Sequence, residues 1–311
     1  MAQPQLTVNL GGLLMKNPVT TGSGTYAAGR EYADFVSPEA LGAVTTKGVS
    51  LNGWEGNASP RIAETASGML NSIGLQNPGV AHLVEVDIPW LKSRNATVIA
   101  NVSGHSIEEY TQVIHVMEAA EADLTREAPD AYEINISCPN VDAGGMTFGT
   151  DPAMAARVVE ACRACTTRPL IVKLTPNVTD ITEIARAAQD AGADAISLIN
   201  TVLGMAIDAR TRKPKLARGV GGLSGPAVKP IALRMVWQCY NAVNIPLLGM
   251  GGISNGADAV EFLLAGATAV AVGTANFVNP RATLDVIESI NAYCIEQGVQ
   301  DVNELIGGLI W

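Results

Sequence analysis

Apolar residues in this chain fall into short β-branched runs, each closed by Gly, Ser, Thr or Asn and mostly separated by longer stretches with apolar positions three and four apart. The short runs read as strands and the longer stretches as amphipathic helices, so their alternation predicts repeated βα units. Eight strands are predicted, near 18–21, 43–49, 97–103, 132–137, 170–175, 195–201, 246–251 and 269–273. Helices are predicted between the later ones at 152–165, 180–191, 230–243 and 257–265. Eight parallel strands with helices outside make an α/β fold of the (β/α)8 TIM-barrel type. An open dinucleotide-binding sheet would carry a Gly-x-Gly-x-x-Gly turn after its first strand, whereas Gly22-Ser23-Gly24 is followed next by Gly29. Residues 6–10 and 13–15, joined by Gly11-Gly12, read as an N-terminal β-hairpin outside the eightfold count, expected to close the barrel bottom. No Pro/Ser-rich linker and no block of like charge interrupts the pattern, so 1–311 reads as a single domain.

Composition narrows the partners. Thirty acidic against twenty basic residues give a net charge of −10, and the basic residues form no cluster able to track a phosphate backbone, which argues against nucleic acid. The start Met-Ala-Gln-Pro-Gln-Leu lacks the features of a signal peptide and no apolar stretch reaches ~18 residues, so a cytoplasmic protein with no membrane span is expected. Five cysteines, Cys138, Cys162, Cys165, Cys239 and Cys294, are an odd number scattered over a long chain, which is not the pattern of a disulfide framework, and reduced thiols are expected.

A barrel of this kind places its active site at the carboxyl ends of the strands. Those ends carry Ser23, Lys47, Asn101, Asn135, Cys138, Lys173, Asn200 and Thr201, a set of donors and amides with hardly a carboxylate, suited to an anionic ligand. The seventh and eighth strands end in Gly249-Met250-Gly251-Gly252 and Gly273-Thr274, where backbone N–H groups can approach a phosphate, although glycines also serve plain chain reversal. Lys47 and Lys173 each finish an apolar strand; each must meet negative charge, from an acidic side chain or from a ligand, or snorkel to solvent.

Cys138 taken alone reads as an inert small hydrophobe, but its place just beyond a strand, before Pro139 and between Asn135 and Asn140, makes it a candidate base. A free thiol with a pKa of ~8.5 needs only modest help to act near neutral pH. Cys162 and Cys165 form Cys-x-x-Cys toward the end of a predicted helix, where the dipole opposes thiolate formation. His82, His105 and His115 show no ligand spacing, so no metal site is expected. The loop 71–79 is either surface punctuation or, through its amides, part of a substrate site.

The segments Asn135-Ile136-Ser137-Cys138-Pro139-Asn140, Asn71-Ser72-Ile73-Gly74-Leu75 and Gly249-Met250-Gly251-Gly252-Ile253, with the Asn200-Thr201 strand end, closely resemble the class 1 dihydroorotate dehydrogenases over essentially the whole chain. The resemblance implies an FMN-binding TIM barrel, with one FMN per chain, that oxidises dihydroorotate to orotate in pyrimidine biosynthesis. It assigns Cys138 to removing the C5 proton while hydride passes from C6 to FMN. It implies a substrate site of Lys47, Asn71, Ser72, Ile73, Gly74, Leu75, Asn135, Asn140, Asn200 and Thr201. For FMN it implies Ser23, Lys47, Gly48, Asn101, Asn135, Lys173, Ile199, Gly225, Gly251, Gly252, Gly273 and Thr274, with Lys173 stabilising charge on the reduced flavin.

The stretch Val141-Asp142-Ala143-Gly144-Gly145-Met146-Thr147-Phe148-Gly149-Thr150-Asp151-Pro152 is similar to that of the NAD-dependent class 1B enzymes rather than the fumarate-dependent class 1A. That subclass implies a homodimer joined to a second subunit, holding FAD and a [2Fe–2S] cluster, in a heterotetramer; the four-cysteine spacing of the cluster is absent here. Two other readings are a dihydropyrimidine dehydrogenase-like flavoenzyme, disfavoured by the Cys138-Pro139-Asn140 context and the lack of ferredoxin-like cysteines, and a non-catalytic flavin- or phosphate-binding barrel.

Overall fold

Walking along the chain of the computed structural model, β1 (Val8–Leu10) and β2 (Leu13–Met15) form a hairpin, and β3 (Val19–Thr21) and β4 (Val44–Thr45) start a barrel. Strands β5 (Ile62–Thr65) and β6 (Gly68–Asn71) leave it, and β7 (Val98–Val102), β8 (Ala131–Asn135), β9 (Leu170–Lys173) and β10 (Ala195–Leu198) return to it. A second excursion follows through β11 (Val202–Met205), β12 (Ile207–Asp208), β13 (Lys213–Pro214) and β14 (Val220–Ser224), before β15 (Leu247–Met250) and β16 (Ala269–Val272) complete it. The structure describes residues 3–122, 127–137 and 148–310; Cys138, Pro139, Asn140 and the class-specific stretch through Thr147 lie outside the described residues.

The barrel strands run in the order β3-β16-β15-β10-β9-β8-β7-β4, all pairs parallel. All eight fall inside the predicted segments or within one residue of them, because runs such as Leu170-Ile171-Val172-Lys173 and Ala269-Val270-Ala271-Val272 are buried along their whole length. Burying each Val, Leu or Ile side chain stabilises the fold by roughly 1.5–3 kcal/mol before ordering costs. Most of the predicted segments overrun their strands at the carboxyl end: β4 stops at Thr45 and β10 at Leu198, and the residues beyond leave the ladder to face the barrel mouth.

Helices Ile107–Ala122, Pro152–Arg163, Ile181–Asp190, Lys229–Tyr240 and Gly256–Leu264 cover the outside. Their starts are set locally: the Asp151, Asp180 and Asn255 side chains accept from the backbone N–H of Met154, Thr182 and Asp258, satisfying donors that a helix start leaves unpaired. No helix among the described residues is long and apolar enough to cross a membrane.

The ladder runs open between β3 and β4, and side chains bridge that seam. Thr21 Oγ1 accepts the Thr45 N–H at 3.0 Å and donates to the Thr45 carbonyl at 3.2 Å, while the Thr20 and Thr45 hydroxyls meet at 3.0 Å. The hairpin sits at the opposite end from the strand carboxyl ends. Gly11 lies so close to Asp194, just before β10, that a Cβ would fall 2.4 Å from its carbonyl oxygen, and Gly12 faces Pro169, just before β9. Val8, Leu10, Leu13 and Met15 are buried, as the bottom closure predicts.

One layer was not anticipated. Strands β5, β6, β14 and β11 form an antiparallel sheet in the order β11-β14-β6-β5, built from the segments after β4 and β10. Gly68-Met69-Leu70-Asn71 and Val220-Gly221-Gly222-Leu223-Ser224 are glycine-containing and mostly half-exposed, so they lack the apolar runs that mark the barrel strands. Gly222 has to be glycine, since a Cβ there would fall 2.0 Å from Thr201 Oγ1.

Candidate active site

Every barrel strand delivers its last residues to one end, and there a cavity of about 640 Å³ opens, within the size range of small-molecule sites. Ser23, Lys47, Gly48, Asn71, Ser72, Ile73, Gly74, Leu75, Asn135, Lys173, Ile199, Asn200, Thr201, Gly225, Gly251, Gly252, Gly273 and Thr274 all line it. Of the remaining expected site residues, Asn101 is fully buried beside Gly48, and Cys138 and Asn140 lie outside the described residues. The lining among the described residues includes the cations Lys47, Arg61, Lys173 and Arg218 and no carboxylate, although the chain carries a net charge of −10.

The polar wall is held from behind. Lys173, at the end of β9, is 4% exposed; its Nζ donates to Ser23 Oγ at 3.3 Å and stands 3.8 Å from Glu133 Oε2. Glu133 is fully buried on β8, where Ser197 Oγ donates to Oε1 at 2.7 Å and Asn101 Nδ2 donates to Oε2. Lys173 therefore has an acidic partner, and it also lines the cavity. Lys47, beyond β4, reaches Gly24, where its Nζ would lie 3.2 Å from a Cβ.

An amide chain crosses the floor from β7 to β10. Asn135 Nδ2 donates to Ser103 Oγ at 3.5 Å; its Oδ1 accepts from the Ser137 hydroxyl at 2.6 Å; and Asn200 Nδ2 donates to Ser137 Oγ at 2.7 Å. Asn177 Nδ2 donates to the Thr201 carbonyl at 3.0 Å and its Oδ1 accepts from Leu203 N–H at 2.9 Å, which fixes the chain leaving β10. Ser137 and Asn177 line the cavity, as does Ser224, whose Oγ accepts from Thr274 Oγ1 at 2.8 Å. Sequence reasoning passed over these three, because Ser137 and Asn177 follow strands as ordinary turn residues do and Ser224 ends a strand that was not anticipated; Glu133 escaped it too, lying inside a strand rather than at its end. Its signal was the alternation itself: two residues before Asn135, Glu133 shares the inward face.

Of the loop 71–79, residues 71–76 line the cavity. Asn57 Nδ2 donates to the Ser72 carbonyl at 3.1 Å and Asn57 N–H to the Ile73 carbonyl at 3.0 Å, while Asn77 Nδ2 donates to the Leu75 carbonyl at 2.8 Å. Gly74 has φ 74°, and a Cβ there would fall 2.7 Å from the Asn57 backbone nitrogen, so side chains are excluded where the loop turns against its support.

At the ends of β15 and β16 the glycines shape a cradle. Gly251 and Gly252 have φ 123° and 85°, and a Cβ on Gly252 would fall 2.8 Å from Lys229 Cβ and 2.9 Å from the Gly225 carbonyl oxygen. A Cβ on Gly273 would meet only Thr25 Cγ2, at 3.8 Å, so the space before it is open.

The remaining candidates separate from the site. Cys162 is buried in the last turn of its helix and desolvation pushes its thiol far up; Cys165 contacts His115 Nε2 at 3.5 Å, and burial raises its thiol as well. His105 stacks on Trp54 with centroids 4.0 Å apart, and His82 lies 3.7 Å from Asp87. Among the described residues no three His, Cys, Asp or Glu side chains come together as a metal site.

Comparison with known proteins adds the lineage. The family model described as dihydroorotate dehydrogenase matches residues 5–293. The chain is 56% identical over 309 residues to the dihydroorotate dehydrogenase B (NAD(+)) catalytic subunit of Alkaliphilus metalliredigens, covering 99% of this chain and 100% of that one. It is 55% identical to the protein of the same name from Alkaliphilus oremlandii, with the same coverage, and 54% identical to that of Geobacter sulfurreducens, covering 99% of each. A barrel whose carboxyl-end cavity gathers the amides and lysines of the quoted motifs, matched along nearly its whole length, belongs to the dihydroorotate dehydrogenase family.

Proposed function

We propose that this chain oxidises dihydroorotate to orotate in pyrimidine biosynthesis, as the FMN-binding catalytic subunit of an NAD-linked, class 1B enzyme. The observation that carries the reading is the cavity wall: four cations and no carboxylate among the described lining residues, facing a space bordered by side-chain amides. Dihydroorotate is a carboxylate with a ring of N–H and C=O groups, and it needs both kinds of contact.

The residues present fit FMN. Asn101 Oδ1 is buried directly behind the lining residue Gly48 with no partner among the described residues, an unpaired acceptor of the kind a ligand N–H satisfies. The glycines at 225, 251, 252 and 273 leave open backbone where a phosphate can approach, with Ser23 and Lys173 beside the ring site. Bound FMN supplies the acceptor for the hydride that leaves C6 of the substrate. Lys173 holds positive charge beside it, in a wall that water barely reaches.

Asn71, Asn135, Asn140, Asn200 and Thr201 pair with the edges of the substrate ring, Lys47 stands near both ligands, and Ser72 to Leu75 shape the outer wall. Cys138 takes the C5 proton. Electrons pass on through a partner subunit holding FAD and a [2Fe–2S] cluster, in a heterotetramer with two copies of this chain.

Anaerobic mixing of the FMN-loaded chain with dihydroorotate tests the reading. The flavin absorbance is expected to bleach as orotate forms; an unchanged spectrum with dihydroorotate would leave a flavin-binding barrel without this activity.

A further inference from the structure

Glu133 is a fully buried carboxylate that the proposed reaction does not use. It does not line the cavity, so it acts only through its neighbours. Asn101 and Glu133 are register partners on β7 and β8, and Lys173 and Ser197 are register partners on β9 and β10. Partners across parallel strands project to the same face, and Lys173 is the register partner of Asn135, two residues beyond Glu133, so four adjacent strands send these side chains into the barrel interior.

We propose that Glu133 is a positioning residue of the flavin site, fixing which way the Asn101 amide faces and where the Lys173 ammonium stands. An ionised carboxylate only accepts hydrogen bonds. Asn101 must therefore turn its NH2 toward Glu133, and Oδ1 is left on the other side. There it is buried with no partner among the described residues and lies 2.5 Å from where a Cβ on Gly48, a cavity-lining residue, would stand, so only glycine at 48 leaves room beside the acceptor. The pyrimidine ring of a flavin carries one N–H donor of the kind that Oδ1 lacks. Ser197, donating at 2.7 Å to the other carboxylate oxygen, keeps Glu133 from rotating, and the ammonium of Lys173 stands between Glu133 and Ser23.

The inference rests on the FMN reading, and the two fail differently. The full-length apoprotein is titrated with FMN by flavin fluorescence, and the midpoint potential of the bound flavin is measured, for wild type, Glu133→Gln and Ser197→Ala. Glutamine carries a donor as well as an acceptor, so the Asn101 orientation is no longer compulsory and Lys173 loses its counter-charge. FMN binding to Glu133→Gln is expected to weaken roughly tenfold, the scale of one lost buried hydrogen bond. The potential is expected to move positive, because an uncompensated cation favours the reduced, anionic flavin. Ser197→Ala keeps the charge and frees one carboxylate anchor, so binding is expected to weaken about threefold.

A folded Glu133→Gln protein with wild-type FMN affinity and potential overturns the proposal. So does a drop in thermal stability with the potential unmoved, the mark of a buried pair that only holds the fold. If Glu133→Gln does not fold, wild-type FMN affinity in Ser197→Ala overturns it. Wild type that binds no FMN would overturn the cofactor reading itself.

Discussion

Lys173 and Lys47 were visible as candidates because each ends an apolar strand, where a charge is out of place unless something answers it. The structure shows what answers Lys173 on one side, Glu133 and Ser23, and leaves the cavity on the other. The amides were visible for the same reason. Ser137 and Asn177 were not, since nothing in the sequence separates a turn residue that supports a site from one that only turns the chain. The weight placed on Cys138 comes from the same strand end, two residues beyond Ile136 and next to the anchored Ser137. Cys138→Ala leaves Lys173, Asn135 and the glycine cradle intact, so the variant is expected to purify yellow with FMN. Its bleaching by dihydroorotate is expected to slow by a factor on the order of 10²–10⁴, the range of one general base. Stopped-flow absorbance decides it: bleaching at the wild-type rate removes Cys138 from that role.

Among the elements, the eight barrel strands were legible because burial on all sides writes itself as an unbroken apolar run, and the strands of the accessory sheet were not, because half-exposed, glycine-bearing segments resemble loops. The seam between β3 and β4 was also hidden. Nothing in Val19-Thr20-Thr21 or Val44-Thr45 says that hydroxyls will bridge those strands in place of the ladder. The arrangement makes a test with two arms. Thr21→Val conserves shape but removes the acceptor of the Thr45 N–H and the donor to its carbonyl, leaving a buried backbone donor unpaired. That variant is expected to lose about 1–3 kcal/mol in chemical denaturation. Thr20→Val removes only a hydroxyl that meets another hydroxyl, and should cost less. Equal losses in the two variants would mean that the seam is held by packing rather than by the Thr21 bridge.

For the whole molecule, the consequential feature is that the described cysteines offer no cluster that could carry electrons away from the barrel mouth. A [2Fe–2S] cluster takes four cysteine thiolates, and this chain has five cysteines in all. Cys162, Cys239 and Cys294 are buried in three separate helices, and Cys165 is half-buried beside His115. Desolvation pushes the Cys239 thiol up to about 12 and raises the others, the reverse of what a thiolate ligand requires. On the class 1B reading, electrons delivered to a flavin here leave for NAD only through the partner subunit. The purified chain, loaded with FMN and given dihydroorotate, is therefore expected to reduce an artificial dye at each turnover while producing no NADH at 340 nm. Adding an FAD- and [2Fe–2S]-containing subunit is expected to switch on NADH formation. Rapid NAD reduction by the chain alone would sink the class 1B reading, because hydride would then pass to NAD at this site without the partner on which that reading depends.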